Sequence, residues 1–226
     1  MALLISEIYP SIQGESSFAG WPCVFVRLTG CDLRCVWCDS PFAFRGGESL
    51  SVAATVEKVT GLNCPLVEIT GGEPLLQKDV HPLMTALCDR GFSVLLETSG
   101  AHDLSPVDPR VVRIMDWKCP ASGESRRNLE SNISLLKPTD EVKFVIGDRA
   151  DYEWAKGELA RLGLAKRVRG ILFSPAGEMP SVPGEIKGHP GLAPRLLAEW
   201  ILADHLPVRF QLQLHKYVWP PHQRGV

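Results

Sequence analysis

Strand-like segments alternate with helix-like segments along this chain, and no other feature restricts its fold as strongly. The strand-like segments cover residues 1–7, 23–28, 66–70, 92–97, 111–117, 142–146, 170–173 and 208–214. Helical patterns cover 51–60, 78–90, 129–136, 152–162 and 193–203, and Gly91 and Gly163 are placed to end two of these helices. The alternation predicts an α/β fold with a parallel sheet, either doubly wound or closed into a partial barrel.

The loops that carry polar, glycine or cysteine residues follow predicted strands. They cover 30–40, 70–74, 98–100, 118–123 and 174–177. The carboxyl ends of parallel strands meet at one edge of a sheet, so we expect these loops to form one shared site. The Pro- and Gly-rich stretch 174–191 is expected to be an ordered surface loop or lid.

Three cysteines, Cys31, Cys35 and Cys38, follow the second predicted strand at the spacing C-x3-C-x2-C. Three thiolates hold three irons of a [4Fe–4S] cluster and leave the fourth iron without a protein ligand. An open metal position is typical of catalytic sites rather than structural ones. The spacing indicates a cluster that binds S-adenosylmethionine (SAM).

A structural zinc site is the alternative interpretation of the same cysteines. Cys64, Cys119 or His102 would have to complete it, because the sequence has no second closely spaced Cys or His pair. Disulfides are disfavoured by the total of 7 cysteines and by an N-terminus without a basic region or cleavage site.

Composition excludes several classes of protein. A formal net charge of −2 is unlike that of a nucleic-acid-binding protein, and no apolar run approaches the roughly 20 residues that span a bilayer. We therefore expect one domain over residues 1–226, without a nucleic-acid or membrane partner, in the reducing cytoplasm.

The segment Thr70-Gly71-Gly72-Glu73-Pro74 follows a predicted strand and supplies a second motif. Glycines allow a ligand to approach the backbone closely. Together with the cysteine loop, this segment resembles the radical SAM superfamily. The resemblance implies a partial (βα)6-like barrel, with helices that are shortened or modified, and SAM-binding roles for Gly71, Gly72, Glu73 and Trp37.

Four further stretches narrow the resemblance. They are Tyr9-Pro-Ser-Ile-Gln-Gly-Glu15, Cys38-Asp39-Ser40, Asp116-Trp-Lys-Cys-Pro-Ala-Ser-Gly123 and Leu212-Gln-Leu-His-Lys-Tyr-Val-Trp-Pro-Pro221. In this order they are similar to the 7-carboxy-7-deazaguanine synthase family of the queuosine and 7-deazapurine pathway. The similarity runs from about residue 8 to residue 221.

The resemblance implies a role for each matching residue. Ile12, Gln13, Gly14, Glu15, Arg27, Thr70, His215 and Pro221 would bind substrate. Trp37, Cys38, Asp39, Gly71, Gly72 and Glu73 would contact SAM, and the later loops Cys119-Pro120-Ala121 and Ser174-Pro175-Ala176-Gly177 would do so as well. Cys119 also fits plain packing at a strand end. Arg27 presents a planar fork that suits a carboxylate, although a salt-bridged strand residue fits the sequence equally.

Two positions depart from the family pattern. Ser40 stands where the family usually has a threonine whose hydroxyl binds magnesium, and serine retains the oxygen that a hard cation requires. In some members the chain stops at the proline that matches Pro221, whereas five residues follow it here.

The implied activity is conversion of 6-carboxy-5,6,7,8-tetrahydropterin to 7-carboxy-7-deazaguanine with loss of ammonia. Its implied cofactors are the [4Fe–4S] cluster, SAM and Mg2+. Its implied partners are the pterin, a flavodoxin- or ferredoxin-type one-electron donor, and a second copy in a homodimer. A glycyl-radical activating enzyme, which acts on a partner protein, and the zinc-binding module remain the alternatives.

Overall fold

A computed structural model describes residues 2–220 and 223–225 of the chain. Its strands are β1 (Ala2–Ile12), β2 (Pro22–Leu28), β3 (Glu48–Ser51), β4 (Leu66–Gly71), β5 (Ser93–Thr98), β6 (Val112–Asp116), β7 (Glu141–Ile146), β8 (Gly170–Pro175), β9 (Glu178–Met179), β10 (His189–Pro190) and β11 (Arg209–Phe210). Its α-helices are α1 (Val52–Thr60), α2 (Val80–Asp89), α3 (Arg149–Leu162), α4 (Pro194–Ala203) and α5 (His215–Val218).

The main sheet has the strand order β11-β8-β7-β6-β5-β4-β2-β1-β3. The strands from β2 to β11 in this order run parallel to their neighbours, whereas β1 pairs antiparallel with both β2 and β3. The prediction of an α/β fold with a central parallel sheet is confirmed. In the described part of the chain, no helix is long and apolar enough to cross a membrane.

The helix boundaries follow from local sequence signals. The Ser51 hydroxyl accepts a hydrogen bond from the Ala54 amide at 3.1 Å and starts α1. The Asp148 carboxylate accepts from the Asp151 amide at 2.8 Å and starts α3 in the same way. Gly163 ends α3 with a φ of 62°, a left-handed conformation that suits glycine.

Two sequence predictions about individual elements were wrong. Residues 129–136 form a 3-10 helix at Glu130–Leu135 rather than an α-helix, because the Asn132 side chain ties the segment to the carbonyls of Gly100 and His102. The predicted strand 208–214 is limited to Arg209–Phe210. Neither the β5–β6 crossover nor the β6–β7 crossover contains an α-helix. This confirms the expectation of shortened or modified helices.

The two faces of the sheet differ in character. The outer face carries buried aliphatic and aromatic residues that pack against α1–α4, among them Val26, Ile69, Leu96, Phe144 and Phe173. The inner face carries polar residues at alternating strand positions: Glu7, Tyr9, Arg27, Glu68, Thr70, Glu97, Asp116, Lys143 and Ser174. A polar inner face is unusual for a parallel sheet, and it forms the floor of the candidate site.

Candidate active site

The cysteine loop leaves the end of β2 and is held against several other loops. Gly30 turns the chain with a φ of 100° and donates its amide to the Ala43 carbonyl at 2.8 Å. Val36 donates its amide to the Ser122 carbonyl at 3.0 Å, and its carbonyl accepts from the Gly188 amide at 3.2 Å. The loop is therefore fixed at both its start and its middle.

Cys31, Cys35 and Cys38 are free, half-buried thiols that line the central cavity. Burial, followed by the neighbouring Asp39 carboxylate, raises the pKa of the Cys38 thiol to about 12. Burial also raises the pKa of the Cys31 and Cys35 thiols. Binding of iron would therefore displace protons from these groups.

The glycine motif packs directly on the cysteine loop. A Cβ at Gly72 would lie 2.0 Å from the Gly30 carbonyl oxygen, and one at Gly71, whose φ is 143°, would lie 2.2 Å from the Leu28 oxygen. The amides of Gly72 and Glu73 donate to the carbonyls of Leu28 and Gly30. These two amides are already bonded, and an amide N–H only donates hydrogen bonds. The groups of the motif that could accept a hydrogen bond from a SAM amino group are therefore its carbonyl oxygens.

The donor set fits a three-cysteine cluster with a small ligand beside it. Asp116 lies at the end of β6 and lines the cavity, and its Oδ1 is buried without a hydrogen-bond partner among the described residues. Its Oδ2 accepts from the Lys118 ammonium at 2.7 Å. No three His, Cys, Asp or Glu side chains of the described residues converge to hold a single ion, whereas a cluster distributes three thiolates over three irons.

The cavity has a volume of about 470 Å3 and opens at the carboxyl ends of the parallel strands. It brings together most of the residues that the sequence predicted for the site. These are Ile12, Gln13, Glu15, Arg27, Cys31, Cys35, Trp37, Cys38, Asp39, Ser40, Thr70, Gly71, Gly72, Ser174, Pro175, Gly177 and His215.

Arg27 projects from β2 into this cavity beside groups from β1. Its Nε donates to Glu7 Oε1 at 2.9 Å, and one terminal nitrogen donates to the Tyr9 hydroxyl at 3.0 Å. Its guanidinium carbon lies 5.8 Å from the centroid of the Phe42 ring. Glu7 and Tyr9 therefore orient the guanidinium, and its remaining N–H groups have no hydrogen-bond partner among the described residues, so they can bind an anion.

Gly14 and His215 meet although they lie near opposite ends of the chain. A Cβ at Gly14 would lie 2.2 Å from His215 Nδ1, and the Gly14 carbonyl accepts from the Leu214 amide at 2.9 Å. Gly14 thus does not line the cavity itself, but it allows α5 to dock and places His215 there.

Polar side chains link this C-terminal segment to the floor of the cavity. Gln213 Nε2 donates to Glu15 Oε1 at 2.9 Å and to Asp39 Oδ2 at 3.0 Å. Burial opposes ionisation of Glu15, but the Lys143 ammonium and the hydrogen bond from Gln213 act together with other neighbours to hold the pKa of this carboxyl below its usual range. The ion pair between Lys143 Nζ and Glu15 Oε2 spans 2.9 Å.

Asp39 and Ser40, which follow the last cysteine of the loop, also line the cavity. The Ser40 hydroxyl donates to Asp39 Oδ1 at 3.0 Å, and Lys216 Nζ lies 3.2 Å from Asp39 Oδ2. Burial opposes ionisation of Asp39, whereas Lys216 and the hydrogen bond from Gln213 hold the pKa of its carboxyl well below its usual range. The pair presents hydroxyl and carboxylate oxygens, the donors that Mg2+ prefers.

Trp37 is held between the lid and the end of β7. Its ring makes an edge contact with the His189 ring at 5.0 Å between centroids, and a Cβ at Gly147 would lie 2.8 Å from it. His189 belongs to β10, which pairs with β9, so the stretch 174–191 is an ordered lid as expected.

Several predicted SAM contacts lie outside the cavity wall. Glu73 is fully buried and accepts hydrogen bonds from Leu75, Thr98 and Ser99, so it joins the motif to β5. Cys119 is 1 % exposed in the hydrophobic core, which corresponds to the packing alternative. Pro120, Ala121 and Ala176 do not line the cavity either, and Pro221 lies outside the described residues.

The sequence analysis did not assign several charged residues that line the cavity: Glu7, Glu68, Glu97, Asp116 and Lys143 on the inner face, and Lys118 just after β6. Three of them break otherwise apolar strands at alternate positions, as in Leu66-Val-Glu-Ile-Thr70, and this pattern could have identified them. Arg224, in the segment after Pro221, also lines the cavity, with its guanidinium carbon 4.3 Å from the centroid of the Phe42 ring.

Comparison with known proteins agrees with this geometry. Residues 25–116 match the family model described as the Radical SAM superfamily, so the fold and the cysteine loop define a radical SAM enzyme. The chain is 48% identical to the 7-carboxy-7-deazaguanine synthase of Koribacter versatilis, covering 98% of this chain and 99% of the relative. It is also 48% identical to that of Chlorobaculum tepidum, covering 99% and 97%.

A solved structure supports the same assignment. The crystal structure of QueE from Escherichia coli superposes with a TM-score of 0.69 and 25% identity, covering 95% of both chains. The chain belongs to the 7-carboxy-7-deazaguanine synthase family.

Proposed function

We propose that this chain is a radical SAM lyase that converts 6-carboxy-5,6,7,8-tetrahydropterin to 7-carboxy-7-deazaguanine and ammonia. The observation that carries the proposal is 48% identity over 98% of the chain to an enzyme of that name. A glycyl-radical activating enzyme and a zinc-binding module receive no comparable support.

Cys31, Cys35 and Cys38 would hold the [4Fe–4S] cluster, and SAM would lie against Trp37, Asp39 and the carbonyls of Gly71 and Gly72. When bound, cluster and SAM together supply the radical that removes a hydrogen atom from C6 of the pterin. The loop 174–177 lies beside this position and contributes Ser174, Pro175 and Gly177 to the cavity wall. The lid over Trp37 would exclude water from the bound groups.

The substrate would lie between Arg27 and the polar floor. The N–H groups of Arg27 that have no partner among the described residues suit the pterin carboxylate, since an arginine can present two parallel donors to it. Ile12, Gln13, Glu15, Thr70 and His215 line the same space and would fix the ring. Glu7 and Tyr9 hold the guanidinium in place before the substrate arrives.

A magnesium ion would bind at Ser40 and polarise the substrate carboxylate. The adjacent Asp39 oxygens support this assignment because they add negative charge to the rim. The serine hydroxyl supplies the oxygen that threonine supplies in other members of the family.

Further features follow from the family resemblance. They are one radical SAM domain over the whole chain, a homodimer, and reduction by a flavodoxin- or ferredoxin-type donor. We also propose a reducing cytoplasmic location, in which the half-buried cysteine thiols remain available to iron.

The test is anaerobic turnover of the reconstituted protein with 6-carboxy-5,6,7,8-tetrahydropterin, SAM, Mg2+ and a strong chemical reductant. We expect mass spectrometry to detect 7-carboxy-7-deazaguanine and one ammonia per product. SAM cleavage without any deazaguanine, or a colourless protein that contains zinc, would refute the proposal.

A further inference from the structure

Two glutamates of the inner face have no role in the function described so far. Glu68 lies on β4 and Glu97 on the adjacent parallel strand β5, where Glu68 pairs with Leu95 in the register. Both side chains line the cavity from the same face of the sheet, and the negative charge of Glu97 acts on the Glu68 carboxyl. Glu68 is 2 % exposed, so bulk water does not solvate it.

One oxygen of each carboxyl group already has a hydrogen-bond donor. Gln13 Nε2 donates to Glu68 Oε2, and Lys143 Nζ donates to Glu97 Oε1. Two carboxyl groups that share a buried site do not readily both ionise, because their like charges repel each other where water is excluded. The arrangement therefore favours one proton held by this pair of neighbouring side chains.

The surrounding charges keep that proton in place. Burial, then the negative charges of Glu97 and Glu15, raise the pKa of Glu68 well above its usual range, and the Lys143 ammonium only partly offsets them. Tyr9 on β1 and Cys23 on β2 also face Glu68, and burial raises the pKa of both and keeps them neutral. Among the described residues, Lys143 is thus the one ammonium in direct contact with the cluster of Glu15, Glu68 and Glu97.

The pair lies where the proposed reaction needs a proton. Glu68 is two residues before Thr70 on the same face of β4, and Arg27 pairs with Thr70 in the register of β2 and β4. The other candidate donor, Lys143, is held by Glu15 and Glu97, which outweigh burial and raise the pKa of its ammonium well above its usual range. Glu68 is therefore the stronger acid of the two.

We propose that the Glu68–Glu97 carboxyl pair is the acid, and then the base, of the step that releases ammonia. The C–N bond breaks with its electron pair going to nitrogen, and the amine takes the proton of the pair and leaves as ammonia. The adjacent ring carbon then returns a proton to the pair as the ring C=C bond forms. The pair ends as it began, and the step consumes no oxidant or reductant.

This inference rests on the proposed function, but it predicts a distinct defect. Glu68→Gln keeps the shape of the side chain and removes the acid. We expect the variant to consume the pterin while deazaguanine falls by about 100-fold or more, the usual contribution of a general acid. An intermediate heavier than the product by one ammonia should accumulate. If the wild type made no deazaguanine, the proposed function would fail instead.

Two further measurements separate catalysis from binding and folding. Fluorescence titration with 6-carboxypterin should give similar Kd values for the wild type and Glu68→Gln. Infrared difference spectra of the metal-free proteins at pH 7 should show a protonated-carboxyl C=O band in the wild type that Glu68→Gln lacks. The surface variant Glu57→Gln, with a side chain 66% exposed, is the matched control and should retain both properties.

A second variant tests the pair through its pH dependence. Glu97→Gln removes a negative charge beside Glu68 and so lowers the pKa of Glu68. The ratio of deazaguanine formed to pterin consumed should therefore fall at a lower pH than in the wild type. An unchanged profile, a wild-type product ratio in Glu68→Gln, lost analogue binding or an absent carboxyl band would each overturn the proposal.

Discussion

Glu73 illustrates how a buried side chain can belong to a functional motif and still act on folding. Its Oε1 accepts hydrogen bonds from the Leu75 amide at 3.0 Å and the Thr98 hydroxyl at 2.8 Å. Its Oε2 accepts from the Ser99 amide at 2.7 Å and the Ser99 hydroxyl at 2.6 Å. The carboxylate thus connects the glycine motif to the loop that follows β5.

Glu73→Gln replaces one of these oxygens with an NH2 group. In either orientation the amide then places N–H against the backbone N–H of Leu75 or Ser99. Leaving one such buried group unsatisfied costs about 1–3 kcal/mol, and losing charge assistance in the other bonds adds about 1 kcal/mol. At the roughly 2–4 °C per kcal/mol that applies to a chain of this size, the melting temperature should fall by about 4–16 °C.

The assay is thermal unfolding of the metal-free protein without SAM, followed by circular dichroism. Glu57→Gln, which removes only an exposed ion pair with Arg90, serves as the control and should change stability by less than about 0.5 kcal/mol. If Glu73→Gln left the melting temperature unchanged and weakened only SAM binding, Glu73 would be a cofactor ligand and our assignment would be wrong.

Five other substitutions, at four positions, test the remaining assignments. Cys38→Ala should abolish the iron–sulfur absorbance after anaerobic reconstitution, whereas Cys119→Ala should keep it and cost about 1–2 kcal/mol of unfolding free energy by leaving a small cavity. Ser40→Ala should weaken the magnesium response while the cluster still forms, and Ser40→Thr should preserve it; an unchanged response in Ser40→Ala would remove the ion from this position. Arg27→Lys should raise the KM for the carboxypterin roughly 10- to 100-fold by losing a bidentate contact worth about 1.5–3 kcal/mol, and an equal rise in the KM for SAM would contradict this.

The sequence predicted those features that depend on short motifs and strand order. The cysteine loop, the glycine motif and the loop of Ser174 lie at the ends of parallel strands, so one topological rule brought them to a single cavity. The family resemblance assigned both Gly14 and His215 to substrate binding, and the structure shows that they meet, because no residue larger than glycine fits beneath the imidazole.

The sequence could not predict features that depend on three-dimensional contacts. Glu68 and Glu97 appear in apolar strands as isolated charges, and only the parallel register of β4 and β5 places them together. Glu73 lies next to two cavity-lining glycines, yet its carboxylate does not line the cavity. It accepts hydrogen bonds from Thr98 and Ser99 at the end of β5 instead. The segment around Asn132 has a helical pattern, but side-chain hydrogen bonds to another loop determine its conformation.

Transfer of a hydrogen atom from the substrate tests the central claim most directly. The reconstituted protein would be incubated anaerobically with 6-carboxy-5,6,7,8-tetrahydropterin deuterated at C6, unlabelled SAM, Mg2+ and reductant. We predict that 7-carboxy-7-deazaguanine forms and that deuterium appears at the 5′ carbon of the recovered SAM and of any 5′-deoxyadenosine, because the conversion is redox-neutral and a hydrogen atom must be returned from 5′-deoxyadenosine. Unlabelled 5′-deoxyadenosine together with unconverted pterin would contradict it.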